Sequence, residues 1–281
     1  MKTKTFLQEL QLAKTNNYAV GAFNIFNYLS AQAVIRAAEK LECSVILQTS
    51  TATVKKFGTQ ELNAMLRQLA WGASVNVMIH LDHCQDVEMA KACMDAGWDS
   101  IMFDGSHFPL EENIAKSKEV VAYAHPRGIC VEGELGKISG VEDELQVEAH
   151  NATNANLEDS IRYVNESGVD AFAPAVGTAH GVYTGVPVIN FDLVAQLKDQ
   201  ISAPVVIHGG TGLEEDVFKR LIKNGGAKVN VSTAIKHGYI DGCKEFIQEN
   251  PTKLEPLAMD RYISEKIESI ASYHMRLFRA R

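Results

Sequence analysis

Eight short apolar runs, each followed by a helical pattern, constrain this chain more than any other feature. The runs lie at 19–24, 44–48, 76–81, 100–104, 128–134, 170–176, 204–208 and 227–231. They are continuously apolar and do not alternate with period two, which is the pattern of strands buried on both faces. Helical patterns fill 30–41, 60–72, 85–96, 110–124, 157–167, 191–199, 214–224 and 232–248. Ser30 is a plausible N-cap for the first of these. A further amphipathic helix opens the chain at 3–16, and another closes it at 260–278. Eight β/α units in roughly 250 residues predict an α/β fold, a single (β/α)8 TIM barrel with an N-terminal helix and a C-terminal helical extension. No Pro/Ser-rich linker interrupts residues 1–281, so the whole chain reads as one domain. A doubly wound open sheet competes, but it calls for a Gly-x-Gly-x-x-Gly turn that Gly21-Ala22-Phe23-Asn24 does not supply.

Charge and cysteine usage narrow the partners. The formal net charge of -8 argues against nucleic acid or an anionic membrane as the main partner. No 18-residue apolar stretch occurs, and Met1 to Leu7 run into a polar helical pattern without a signal-peptide core. The five cysteines, Cys43, Cys84, Cys93, Cys130 and Cys243, form no Cys-x-x-Cys pair. An odd number with no pairing motif suits a reducing compartment and offers no disulfide frame. A cytoplasmic protein is expected.

In a parallel barrel, ligands bind at the C-terminal tips of the strands. Strand 76–81 runs straight into Asp82-His83. Strand 4 ends in Asp104-Gly105-Ser106-His107, and strand 5 in Glu132-Gly133-Glu134. The loop after strand 6 carries Gly177-Thr178-Ala179-His180-Gly181. Strand 7 ends in His208-Gly209-Gly210-Thr211-Gly212, and strand 8 in Asn230-Val231-Ser232-Thr233. A single histidine at a strand end is usually a satisfied polar residue. His83, His180 and His208 lie on separate tips, each beside Gly or Asp, and read together as three zinc ligands with one open position. His80, two residues before Asp82, reads as a supporting or packing residue. His107, His125, His150, His237 and His274 read as surface or structural.

The glycines of 209–212 and the hydroxyls of 232–233 each precede a helix. Glycines let the backbone approach an anion, and helix N-termini direct free N–H groups at it. A phosphate site in the loops after strands 7 and 8 follows. The acids Asp82, Asp104, Glu132, Glu134, Glu142, Asp143 and Glu144 can divide acid and base work. Glu142, between the hinges Gly136 and Gly140 and the acids that follow, is the candidate carried by a swinging loop. Glu144 and Glu148 read as solvated.

Taken in order over roughly 5–250, these motifs resemble the class II, zinc-dependent ketose-bisphosphate aldolases, the tagatose-bisphosphate branch first and the fructose-bisphosphate enzymes next. The resemblance implies an aldolase that reversibly cleaves a ketose 1,6-bisphosphate, or a related ketose 1-phosphate, into dihydroxyacetone phosphate and an aldehyde such as glyceraldehyde 3-phosphate. It implies Zn2+ on His83, His180 and His208, with Asp104 and Glu134 at a displaced metal position. Asp82 would exchange a proton at the aldehyde oxygen, and Glu142 would be the base on dihydroxyacetone phosphate. Asn24, Ser50, Gly181, Gly209, Gly210, Thr211, Asn230, Val231, Ser232 and Thr233 would bind substrate. Relatives also use a monovalent cation, Na+ or K+, near the phosphate. A homodimer or homotetramer is implied, and some tagatose-type relatives work with an accessory subunit.

Gly133 and Thr211 depart mildly from the family pattern, and residues 48–58, at the far end of the substrate, match it poorly. The aldehyde can therefore carry a different head group. The basic tail Met275 to Arg281 either supplies an arginine to a distal anion or is a charged helix end. A zinc hydrolase and a non-catalytic partner subunit are the alternatives. The first needs no dihydroxyacetone phosphate site, and the second would be expected to lose ligands or Asp82, all of which are present. The Asp82-His83 pair carries one structural demand. Successive strand residues face opposite ways, so both can serve one site only if the strand breaks there.

Overall fold

Eight of the strands are each separated from the next by helix. The computed structural model describes residues 4–142, 145–147, 153–181 and 187–280, with main chain alone at 139, 141, 142 and 145–147. The strands are β1 (Val20–Asn24), β2 (Val45–Ser50), β3 (Val77–Cys84), β4 (Ser100–Phe103), β5 (Cys130–Leu135), β6 (Ser139–Glu142), β7 (Leu145–Val147), β8 (Ala171–Pro174), β9 (Ala179–His180), β10 (Val205–Ile207) and β11 (Gly226–Val231). The helices are α1 (Phe6–Asn16), α2 (Tyr28–Lys40), α3 (Thr51–Phe57), α4 (Thr59–Gly72), α5 (Val87–Ala96), α6 (Leu110–Ala124), α7 (Leu157–Ser167), α8 (Phe191–Gln200), α9 (Glu215–Lys223), α10 (Thr233–Glu249) and α11 (Pro256–Arg279).

Eight of the strands close a parallel barrel in the order β1-β11-β10-β8-β5-β4-β3-β2. Each coincides with one of the eight apolar runs. Period-two geometry divides their side chains. Leu47, Ile79, Ile101, Val229 and Val231 pack outward into the layer shared with the helices. Ala22, Ile46, Met78, Ala173 and Val206 point inward at the bottom of the barrel, where Phe6, Leu10 and Ala13 of α1 close it. Thr5 and Gln8 start that helix with a reciprocal capping box.

Four local features differ from the sequence reading. α2 starts at Tyr28, with Asn27 as N-cap and Ser30 three residues into the motif, so Ser30 completes a capping box and is not itself the cap. α3, capped by Ser50, occupies part of 48–58; at two turns it is too short for an apolar period to reveal. β6, β7 and β9 form a second, three-stranded sheet out of segments that read as loops. The C-terminal helix, α11, begins at Pro256, where proline loses no needed N–H. It buries Ile263, Ile267, Ala271, Met275 and Phe278. At its end the Arg279 guanidinium lies 5.6 Å from the centre of the Tyr18 ring. Tyr18 precedes β1, so this part of the tail is a charged helix end at the opposite face from the strand tips. Among the described residues, no helix is long and apolar enough to cross a membrane.

Candidate active site

The required break in β3 is present. Leu81 pairs with Ile101 and Cys84 with Phe103, so three steps on β3 oppose two on β4. This one-residue bulge sits at His83, whose φ is +45°. Left-handed backbone at a non-glycine residue costs on the order of 1–2 kcal/mol. What it achieves is to turn both Asp82 and His83 into the barrel mouth.

His83, His180 and His208 offer ring nitrogens that all lie within 4.8 Å of one another. His83 Nδ1 donates to Asp104 Oδ2 at 3.0 Å. His208 Nε2 donates to Glu132 Oε1 at 2.9 Å. Asn230 Nδ2 also lies 3.2 Å from that Nε2, but a carboxylate can only accept, so Glu132 sets the tautomer. The remaining nitrogens, His83 Nε2 and His208 Nδ1, then carry lone pairs and face each other at 3.0 Å. Two facing lone pairs do not bond to one another; they suit a shared cation. Nitrogens on a tetrahedral zinc stand about 3.3 Å apart. Carboxylates behind the imidazoles are the usual means of fixing such ligands. The residues therefore fit a zinc ion. The alternative group of His83, Asp104 and Glu134 also converges within 4.8 Å, and Glu134 Oε2 lies 3.6 Å from His208 Nδ1.

Both supporting acids are ionised. Burial alone would raise the pKa of Asp104, but the hydrogen bond and charge of His83, with two hydrogen bonds from Ser106, hold it well below the carboxylate range. For Glu132 burial is likewise outweighed, here by the Lys228 charge and the His208 hydrogen bond. His80 lies beneath, stacked on Phe6 with ring centroids 5.4 Å apart. Burial, then the Lys228 charge, keep its imidazole well below the usual range and therefore neutral. Its supporting position matches the sequence reading.

Asp82 is buried and receives three amide donors. Asn24 Nδ2 and Gln48 Nε2 approach Oδ2 at 2.9 and 3.1 Å, and Asn230 Nδ2 approaches Oδ1 at 3.2 Å. Asn24 is thus a neighbour of Asp82. Ser50, the cap of α3, lines a 590 Å³ cavity together with Asn24, Lys56, Lys236 and Tyr239. Gly209 and Gly140 hold the His180 strand from two sides. A Cβ on Gly209 (φ +71°) would lie 2.5 Å from the Ala179 oxygen. One on Gly140 (φ +111°) would overlap the His180 oxygen. Gly140 pairs with His180 in the β6–β9 ladder.

The loops expected to bind phosphate come together around α10. Thr211 Oγ1 accepts from Ala234 N at 3.3 Å. Ser232, at the N-terminus of α10, and Thr178 each bury a hydroxyl without a hydrogen-bond partner among the described residues. The Val231 side chain packs outward, so only its main chain can face the mouth. The main chain of Glu142 ends β6; its side chain, and Asp143, Glu144, Glu148 and His150, lie outside the described residues.

Lys228, Gln48 and Thr178 escaped the sequence reading as site residues. Lys228 carried a usable signal: it interrupts an apolar strand two positions before Asn230, on the same face.

Residues 4–281 match the model of the family described as "Fructose-bisphosphate aldolase class-II". The chain belongs to this family. It is a class II aldolase, a carbon–carbon lyase. A curated relative, the 6-phospho-5-dehydro-2-deoxy-D-gluconate aldolase of Shouchella clausii (strain KSM-K16), is 40% identical over 247 residues, spanning 87% of this chain and 83% of the relative. The crystal structure of the YdjI aldolase from Escherichia coli K12 superposes with a TM-score of 0.85 at 30% identity, covering 97% of this chain and 96% of that one. The fructose-bisphosphate aldolase (Fba) of Campylobacter jejuni shares the fold, with a TM-score of 0.81 at 22% identity over 96% and 93% of the two chains.

Proposed function

We propose that this class II aldolase uses zinc on His83, His180 and His208 to cleave a six-carbon keto sugar phosphate reversibly. The products are dihydroxyacetone phosphate and a three-carbon aldehyde with an anionic end. The observation that carries the metal is the pair of imidazoles locked by Asp104 and Glu132 with their lone pairs converging. When bound there, zinc would polarise the substrate ketone.

The chain's own groups do the rest. Asp82, fixed by three amides, takes the proton from the hydroxyl whose carbon becomes the aldehyde. The carbon–carbon bond breaks and its electron pair stays on the dihydroxyacetone phosphate half. Glu142 supplies the proton to that carbon, and condensation reverses each step. Gly181, Gly209 to Thr211 and Asn230 to Thr233 hold the phosphate. The buried hydroxyls of Thr178 and Ser232 and the α10 N-terminus support that role. A Na+ or K+ ion beside the phosphate belongs to the same proposal.

The cavity with Lys56 and Lys236 suits an anion at the aldehyde end. In a 1,6-bisphosphate of the tagatose or fructose type that anion is a phosphate, and the product is glyceraldehyde 3-phosphate. The name of the Shouchella relative favours a second substrate. In 6-phospho-5-dehydro-2-deoxygluconate the ketone at C5 and the hydroxyl at C3 put the scissile bond between C3 and C4. Its aldehyde product ends in a carboxylate. A cleavage screen over fructose and tagatose bisphosphates, their 1-phosphates and this acid, with and without chelator, tests the reading. Chelator-insensitive turnover would refute the metal, and turnover of none of these compounds would refute the substrate class. Asp82→Ala is expected to spare deuterium exchange into dihydroxyacetone phosphate while abolishing cleavage. Glu142→Ala is expected to slow that exchange.

A further inference from the structure

We propose that Lys228 is a positioning residue whose ammonium holds the His208 ring through Glu132 and the Asp82 carboxylate through Asn230. The inference rests on His208 being a zinc ligand, as proposed above. Lys228, Glu132 and His80 are wholly buried inside the barrel. The layer beneath them is apolar, and an apolar side chain would fill the same space. A buried ion pair is a poor source of stability compared with such a replacement, so its value here is geometric.

The ammonium has three donors and three oxygen neighbours. Glu132 Oε2 lies at 2.9 Å, Glu132 Oε1 at 3.3 Å and Asn230 Oδ1 at 2.7 Å. Each contact removes one ambiguity. Glu132 is pinned with Oε1 towards His208 Nε2, which leaves the other imidazole nitrogen for the metal. An asparagine amide can flip end for end, but Lys228 occupies its carbonyl. The Asn230 NH2 must then face Asp82 Oδ1. Without the ammonium, the carbonyl of Asn230 could turn against the Asp82 carboxylate. One side chain thus keys a metal ligand and the proton-transfer acid to each other.

The test compares the full-length wild type, Lys228→Met, Glu132→Gln, their double variant and His208→Ala by competition for Zn2+ against a chromogenic chelator. Lys228→Met is expected to weaken Zn2+ binding by about 10- to 100-fold, the usual effect of losing an outer-shell partner. The double variant is expected to bind within about threefold of Glu132→Gln alone, because the lysine acts through that carboxylate. A lysine that merely neutralises the core would lower Tm and leave the competition midpoint unmoved; that result overturns the proposal. Independent, multiplying losses in the double variant overturn it too. Should either single variant fail to fold, the double variant, which leaves neither buried charge unpaired, still decides: Zn2+ binding within about threefold of wild type in it overturns the proposal. Wild-type Zn2+ affinity in His208→Ala would remove His208 from the ligand set, and overturn this proposal with it.

Discussion

Replacing Asp104 with asparagine isolates the tautomer lock on His83. Asp104 Oδ2 accepts from His83 Nδ1 at 3.0 Å, while Oδ1 accepts from Ser106 N at 3.1 Å and Ser106 Oγ at 2.7 Å. An asparagine has one oxygen for these two sides. If the oxygen faces His83, the NH2 points at the Ser106 N–H, donor against donor. If the amide flips, the NH2 faces His83 Nδ1 and forces the proton to Nε2, the nitrogen aimed at the metal. Loss of an outer-shell partner weakens metal binding about 10- to 100-fold, or about 1.4–2.7 kcal/mol. At free zinc of 100 times Kd, the wild type gains about 2.7 kcal/mol from the metal, and a variant weakened 100-fold gains only about 0.4 kcal/mol. A chain of this length has an unfolding entropy near 0.6 kcal/mol/K, so the difference is about 4 °C in Tm. Thermal melts with zinc and with chelator separate this from the fixed cost of the facing donors. His180→Ala separates it from direct ligation, because a metal on His83, Asp104 and Glu134 does not depend on His180. Wild-type zinc affinity in Asp104→Asn would refute the lock.

Gly140→Ala should push the His180 strand from its place, costing at least tenfold in zinc affinity while barrel unfolding in chelator moves little; equal zinc affinity would show that the ladder yields. His274 is buried, and burial, against its hydrogen bond to the Ile270 carbonyl, lowers its pKa. The unfolded chain therefore binds this proton first as pH falls below about 6.5, so stability is full above that value and declines beneath it. Tm should fall between pH 7.5 and 5.5, less steeply in His274→Phe, and an identical slope would remove His274 from the cause. Burial pushes the Cys84 thiol up to about 11, which leaves about one thiolate in a thousand at pH 8. Peptide mapping after native iodoacetamide treatment should find Cys84 labelled at least about 100-fold more slowly than in denaturant; early labelling would contradict its burial.

The barrel was legible because strands covered by helices on one side and packed on the other must be apolar throughout, and eight such runs leave little choice of topology. The candidate site was legible at strand ends, as with His83, His208 and Asn230, whose polarity breaks an apolar run. The break at Asp82-His83 was also readable, because two adjacent residues cannot share one face of a regular strand. Loop structure was not. β9, which carries His180, is two residues long, and its place depends on Gly140 and Gly209 from distant loops. Spacing is silent on contacts between segments so far apart.

The sequence by itself determined the order of strands and helices, the acids and imidazoles at their ends, and the family. Tertiary structure alone decided which nitrogen of each imidazole meets a carboxylate, because that depends on Asp104, 21 residues from His83, and on Glu132, 76 residues from His208. It also decided that Lys228 lies inside the barrel beside Glu132 and Asn230. A charge inside an apolar strand is tolerable only if partners from other strands reach it, and closure of the barrel is what brings Glu132 and Lys228 to 2.9 Å.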